Sequence, residues 1–393
     1  MMESGSFSTF GGGAIKDTYV LYKHLKESSD YKIDVFADFS AYDKTAKVIS
    51  ESYIFKNDYD LVWLNSIRDV RIANRYMASH KHAKAIYVDR GDVITHYFES
   101  ALRRGASLLV PIISDPTKFD SASTRAVKSV KSLKMKAIRD FGSKTYAIHL
   151  LKLMKKWLTC YVAQNAMQEV EAKRFFKGGV QIYYIPLPSH EQFIRTNKKR
   201  DHFAITVGRL EETQKKVSFM IEGIKKVVEK HKDLGNEELL LLCGSGPDEV
   251  QYKHLAEKLG VSRNIKFLGF VSEGALVDLY NRCAFIASSS KWETTGRSFI
   301  EGMACGAPVL LNDMNDAIMS YKPLRHLVTD QEQGLVYKFG DLDDFAEKFY
   351  KLYSDGKLRK TLGERAYEYA NKNFETKQVL QRFDLILKKV MDA

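Results

Sequence analysis

The sequence predicts an α/β protein built from two doubly wound, Rossmann-like domains. Three observations carry that prediction. From Phe203 onward, short continuous apolar segments alternate with helical ones, the mark of parallel strands covered on both faces. The first half shows the same alternation less regularly, beginning at the glycine turn Gly11-Gly12-Gly13. Between the halves lies IPLPSHEQF (185–193), whose two prolines interrupt both strand and helix, so we place the domains at 1–190 and 191–393. The length of 393 residues suits two domains of roughly 150–200 residues each.

In the first half, GGGAIKDTYVLYKHL (11–25) reads as a turn running into a helix. YKIDVFAD (31–38), YDLVWLNS (59–66) and AKAIYVDRGD (83–92) each read as strand then loop, and CYVAQNAM (160–167) and VQIYYIPLP (180–188) as later strands. In the second half the strands are FAITVG (203–208), ELLLLCG (238–244), NIKFLGFV (264–271), AFIASSS (284–290), PVLLND (308–313) and GLVYKFGD (334–341). A long amphipathic helix follows the first of them, shorter helices follow the others, and three helical segments run to the C-terminus, the last expected to pack back on the first domain.

Composition narrows the function classes. No apolar run approaches the roughly 20 residues of a membrane span, and the start MMESGSF has neither the basic flank nor the apolar core of a secretory signal, so a cytoplasmic location is expected. Cys160, Cys243, Cys283 and Cys305 have neither metal-ligand nor disulfide-framework spacing. The formal charge is +12, and most of the excess falls between Lys118 and Lys156, where eleven lysines and arginines face only Asp120 and Asp140. A solvated helical face is one reading of this run, and a surface for anionic lipid headgroups, an acidic acceptor or nucleic acid is the other. No nucleic-acid motif or stacking pattern accompanies it. The triplets Asp58-Tyr-Asp60 and Asp341-Leu-Asp343 read as a turn and a helix cap, and no histidine has a partner pattern.

Ligands of a doubly wound sheet bind beyond the carboxyl ends of its strands, and several polar signals fall there in the second half. Strand 203–208 ends in Gly208-Arg209, with Lys215 and Lys216 further on, and strand 238–243 ends in GSGP (244–247). Strand 284–290 runs into WETTGRSFIEGMACGAPV (292–309). Fixed cations, a glycine loop and a helix N-terminus together describe an anion site. Glu293 precedes that helix and Glu301 lies within it, about two turns along. Two carboxylates on either side of a helix N-terminus suit a nucleotide-sugar: ribose near one, transferable sugar near the other, diphosphate between. Equally, Glu301 reads as a surface helix residue and Glu293 as a helix-start charge.

GRLEETQKKVSFMI, GSGPDEV, FLGFVSEGALVDLYNRCAFIASSS and WETTGRSFIEGMACGAPVL together resemble the retaining glycosyltransferases of family 4, which have the GT-B fold of two Rossmann-like domains facing across a cleft. The resemblance covers nearly all of 203–393, and GGGAIKDTYVLYKHL resembles the family's N-terminal glycine loop. It implies that Glu301 holds the ribose, Glu293 the donor sugar with Thr295 beside it, and that Arg209 and Lys216 neutralise the diphosphate. It further implies that the amides of Gly296, Arg297 and Ser298 complete the phosphate site, that Gly12 and Gly13 approach from the first domain, and that Gly244 and Phe270 lie near the base. Glu293 and Asp92 are the expected catalytic carboxylates, and no metal or cofactor is expected.

The sequence departs from the family pattern in places. Glu-Thr-Thr-Gly stands where the family has Glu-Gly-Phe-Gly, and the longer Arg-to-Lys spacing leaves Lys215 a rival to Lys216. IYVDRGD places Asp89, Arg90 and Asp92 where the family has a histidine. The expected function is transfer of a sugar from a nucleoside diphosphate sugar, UDP favoured, to a hydroxyl of a surface polysaccharide, glycolipid or glycoprotein. A nucleotide-sugar epimerase or hydrolase on the same fold, and a basic nucleic-acid-binding protein, are the alternatives.

Overall fold

A computed structural model describes residues 13–28, 31–34, 50–64, 70–89, 149–291, 293, 295–313 and 328–392. It divides into two compact units, Met1–Ile185 with Phe383–Ala393, and Pro186–Arg382. The division falls inside the proline-bearing segment, between Ile185 and Pro186 rather than after residue 190. The last stretch of the C-terminal helix counts with the first unit.

The first unit holds α1 (Gly13–Glu27), α2 (Glu51–Ile54), β1 (Leu61–Leu64), α3 (Val70–Ser79), β2 (Lys84–Val88), β3 (Cys160–Ala163), α4 (Ala166–Phe176) and β4 (Gln181–Tyr184). Its four strands are parallel in the order β1-β2-β3-β4. β3 is buried along its whole length, as expected for a strand covered on both faces. Of the segment expected as a strand at 31–38, residues 31–34 are not in a strand, and the rest lies outside the described residues. The segment 160–167 turns from strand to helix at Asn165, whose side chain accepts from the Gln168 amide and caps α4.

Inside this unit Glu171 is buried, and only one of its carboxylate oxygens meets Arg174, at 3.2 Å. Burial raises its pKa, partly opposed by Arg174. The folded value thus exceeds the unfolded one, so its contribution is full at low pH and is lost as pH rises through the folded value. Glu171→Gln copies the protonated form. It is expected to raise the unfolding midpoint by roughly 2–4 °C at pH 8, with the gain fading toward pH 4, as thermal melts at the two pH values would show.

The second unit comprises β5 (Ala204–Val207), α5 (Val217–Lys230), β6 (Leu240–Cys243), α6 (Glu249–Lys258), β7 (Ile265–Gly269), α7 (Glu273–Arg282), β8 (Phe285–Ala287), α8 (Arg297–Ala304), β9 (Val309–Asn312), β10 (Gly334–Tyr337), α9 (Leu342–Ser354) and α10 (Gly356–Phe374). The final helix, α11 (Thr376–Asp392), follows. Six parallel strands run in the order β10-β9-β8-β5-β6-β7. Counted along the chain from β5, that order is the doubly wound Rossmann arrangement, with β5 and β8 flanking the point where the winding reverses. On α5, Phe219, Met220, Ile221, Ile224 and Val227 are buried, each side chain worth about 1.5–3 kcal/mol. Asp341 caps α9 by accepting from the amides of Asp343 and Asp344, so that triplet is a cap. Asp58 pairs with His82 at 3.0 Å.

All four cysteines are buried and free, and burial pushes each thiol up to about 12. No described helix is long and apolar enough to cross a membrane. Most of the basic run, 118–148, lies outside the described residues.

Candidate functional site

The carboxyl ends of β5 and β8 meet at the reversal point of the second sheet, and a pocket opens there. It is lined by Thr206 and Val207 of β5, Lys215, Ala287 through Ser290 after β8, Glu293, and Ser298 and Phe299 of α8.

Three loops are fixed so that these side chains converge. After β5, the Gly208 amide donates to Cys243 O at 3.0 Å and the Leu210 amide to Ser245 O at 3.1 Å, tying the Arg209 loop to the loop after β6. The approach is close enough that a Cβ on Gly244 would stand 2.0 Å from the Gly208 carbonyl oxygen, and one on Gly246 equally close to that of Leu210. The GSG sequence is therefore a backbone-packing requirement, and it holds Arg209 at the strand end. Arg209 is exposed and makes no hydrogen bond or ion pair with any described residue.

The next loop ends at Lys216, which starts α5 in the left-handed region at φ 45°, a conformation that costs a non-glycine residue energy. The Ser289 hydroxyl lies 2.9 Å from both Lys215 O and Lys216 O and holds the turn. This turn separates the two lysines. Lys216 directs its ammonium over the rings of Phe219 and Phe339, 5.7 and 5.4 Å from their centroids, away from the pocket lining. Lys215 enters the pocket and pairs with Glu293 Oε1. Of the two rival lysines, Lys215 is the one that lines this pocket.

After β8 comes a polar loop that sequence reading assigned to the strand. Tyr337 donates to Ser288 O at 2.8 Å, Asn312 Nδ2 to Ser290 O at 2.9 Å, and the Ser290 hydroxyl to Glu293 Oε1 at 2.8 Å. Three consecutive serines at a strand end were the signal for this support. Glu293 thus takes a lysine and a hydroxyl on one oxygen, with the carboxylate fixed in place.

Gly296 precedes α8 as its N-cap, in the left-handed region at φ 62° and with no side-chain cap, so the amides of the first turn have no side-chain acceptor from a cap. Ser298 lines the pocket, and the Arg297 guanidinium lies 2.8 Å from His190 Nε2. Thr295, before the helix, is half-buried. Glu301 is buried, and the fully buried Tyr280 hydroxyl donates to its Oε2 at 3.2 Å. A Cβ on Gly302 would fall 1.9 Å from Ile286 Cδ1, so a glycine there lets α8 lie directly on β8. Phe270, just beyond β7, is 71% exposed at the sheet's carboxyl edge. Of the first-unit residues expected at the site, Gly13 begins α1, while Gly12 and Asp92 lie outside the described residues. Asp89 is buried and accepts from the Tyr161 hydroxyl.

Comparison with known proteins gives likenesses of sequence and fold. Residues 189–369 match the model of the family described as glycosyl transferases group 1. Over that segment, less than half of the chain, this protein is similar to that family. The chain is 26% identical over 250 residues to the putative glycosyltransferase EpsD of Bacillus subtilis, an overlap of 59% of this chain and 62% of that protein. The chain spans less than two thirds of the length of the curated relatives it matches. Among solved structures, a glycosyltransferase from Rickettsia africae superposes with a TM-score of 0.66 at 15% identity, covering 97% of this chain and 96% of that one. The HepE protein of Anabaena, in complex with UDP and glucose, gives 0.63 at 14% identity, covering 98% of each. These likenesses show the fold, GT-B with two parallel-sheet Rossmann-like domains. The matched segment contains every residue that lines the pocket described above.

Proposed function

We propose that this chain is a retaining glycosyltransferase that moves a sugar from a nucleoside diphosphate sugar, UDP-sugar favoured, to a hydroxyl of a surface polysaccharide, glycolipid or glycoprotein. The observation that carries the reading is Arg209, a cation without a partner among the described residues, which follows β5 where the winding of the sheet reverses and where the pocket holds the Lys215–Glu293 pair. Breaking the bond between the anomeric carbon and the diphosphate oxygen puts charge on the leaving diphosphate. We assign Arg209, Lys215 and the amides of Gly296, Arg297 and Ser298 to that charge, an electrostatic role for which the reading invokes no metal. Glu301 is assigned to the ribose, Glu293 with Thr295 to the transferred sugar, and Gly244 and Phe270 to the base. The UDP in the HepE complex, and UDP with a glycan in the TarM complex, support the donor and acceptor classes by likeness of fold. We assign Gly12 and Gly13 to the donor diphosphate, Asp92 to catalysis from the first domain, and the basic run to an anionic surface on the inner face of the membrane.

A thermal-shift panel of UDP, GDP, ADP, CMP and their common sugar conjugates tests the reading. A ligand at a hundred times its dissociation constant adds about 2.7 kcal/mol, a rise of a few degrees. One nucleotide class is expected to stabilise the wild type, and Glu301→Ala to lose that stabilisation. If no nucleotide shifts the wild type, the donor-site reading fails.

A further inference from the structure

We propose that Lys215 is an exchangeable partner, shared between Glu293 and the donor diphosphate, so that diphosphate binding releases Glu293 for the sugar. The inference rests on the donor-site reading above.

The pair is poorly explained as a stabilising contact. The side chains of Lys215 and Glu293 are only 18% and 10% exposed, so both charges are largely removed from water. A buried ion pair of this kind roughly breaks even against the cost of desolvating its members, so stability alone gives little reason to build it. Its surroundings are also asymmetric. Glu293 Oε1 has a second donor, the Ser290 hydroxyl at 2.8 Å, and the Ser288 hydroxyl backs that serine at 3.1 Å. The Lys215 ammonium has no other hydrogen-bonding or ionic partner among the described residues. Glu293 therefore keeps a hydrogen bond when the pair opens, while Lys215 must find another anion.

Such an anion fits the geometry. The lysine stem passes beneath Gly208, its Cε 3.2 Å from where a Cβ would stand, and Gly208 is the residue before Arg209. Lys215 and Ser298, the second residue of α8, line the same pocket. A diphosphate placed between Arg209 and the start of α8 would lie within reach of the ammonium and carry more charge than one carboxylate. Taking the lysine would leave Glu293 negative, held by Ser290, and able to accept from a sugar hydroxyl. The diphosphate and the sugar contact are thus coupled through one side chain.

The exchange makes an unusual prediction about Glu293→Gln. The change removes Lys215's competing partner, so UDP alone is expected to bind at least about fivefold tighter, while sugar transfer slows. Through-space repulsion between Glu293 and the diphosphate would also tighten UDP, so the decisive comparison is a cycle with Lys215→Met measured by calorimetry. In the Lys215→Met background, Glu293→Gln is expected to change UDP affinity by less than about twofold, because no lysine remains to be released. Uridine, which lacks the diphosphate, is expected to bind all four proteins alike. Melting curves without nucleotide come first, so that each variant is compared only where it is folded. If a variant is unfolded, Glu293→Asp, which retracts the carboxylate, replaces Glu293→Gln with the same expected direction. An equal gain in both backgrounds, a gain for uridine, or no gain for UDP would each overturn the exchange. If the wild type binds no nucleoside diphosphate at all, the donor-site reading falls first and takes the exchange with it.

Discussion

Replacing Arg209 by alanine is expected to lower the rate of sugar transfer roughly 10²–10³-fold, the scale set by removing one preorganised group that meets developing charge. The size of the effect follows from where the side chain sits. Arg209 follows β5 at the reversal point and is exposed, with no hydrogen bond or ion pair to any described residue. Its loss should therefore leave the unfolding midpoint within the scatter of ordinary surface changes, about ±0.5 kcal/mol. Function and stability separate cleanly at this position, which makes it the sharpest probe of the site. Arg209→Lys restores charge but not the planar two-pronged donor geometry, and should recover only part of the rate. Initial rates with a UDP-sugar, alongside melting curves of the same preparations, check both halves. Turnover of Arg209→Ala within about threefold of wild type, on a folded protein, would remove arginine from the diphosphate site.

The second unit was the more legible half of the sequence, for a physical reason. Its strands β6, β8 and β9 are buried along their whole length, so they read as apolar runs such as LLLC (240–243) and VLL (309–311), bounded by glycine, proline or polar residues. In the first unit the signal was mixed. CYVAQNAM was read as one strand, yet the structure stops it at Ala163. Asn165 followed by Gln168 is a helix-start pattern, and it was present in the sequence. Within the site, the glycines and the two glutamates stood out because their spacing is unusual. The choice between Lys215 and Lys216 could not be read the same way. Adjacent residues in a turn point in directions set by backbone dihedrals, and here the left-handed Lys216 sends one lysine into the pocket and the other over two aromatic rings. Tyr280 was equally hidden. Its hydroxyl matters only because α7 and α8 pack so that it reaches Glu301, a contact between elements that no local pattern encodes.

The second large effect is expected at Gly244, where a single methyl group should damage stability and catalysis together. Gly244 adopts φ +137°, which side-chain-bearing residues rarely occupy, and an alanine Cβ would stand 2.0 Å from the Gly208 carbonyl oxygen. The obstacle is backbone, so no rotamer change relieves it. The Gly244 amide donates to Gly269 O at 2.7 Å, and the Gly208 amide donates to Cys243 O at 3.0 Å. Making room therefore means parting the carboxyl ends of β5, β6 and β7. Overpacking and strain of this kind cost about 1–3 kcal/mol each, which lowers the melting midpoint by several degrees. The same displacement moves Arg209, one residue beyond Gly208, and a shift of about 1 Å at a positioning group costs on the order of 10² in rate. Gly274→Ala is the matching control. It lies in α7 with nothing within 4 Å of its added Cβ, and the methyl group should stabilise the helix by about 0.5–1 kcal/mol while leaving turnover unchanged. Melting and initial-rate measurements on the two variants separate a crowded loop from a general intolerance of substitution. If Gly244→Ala melts and turns over like wild type, the close approach of the two loops does not position Arg209.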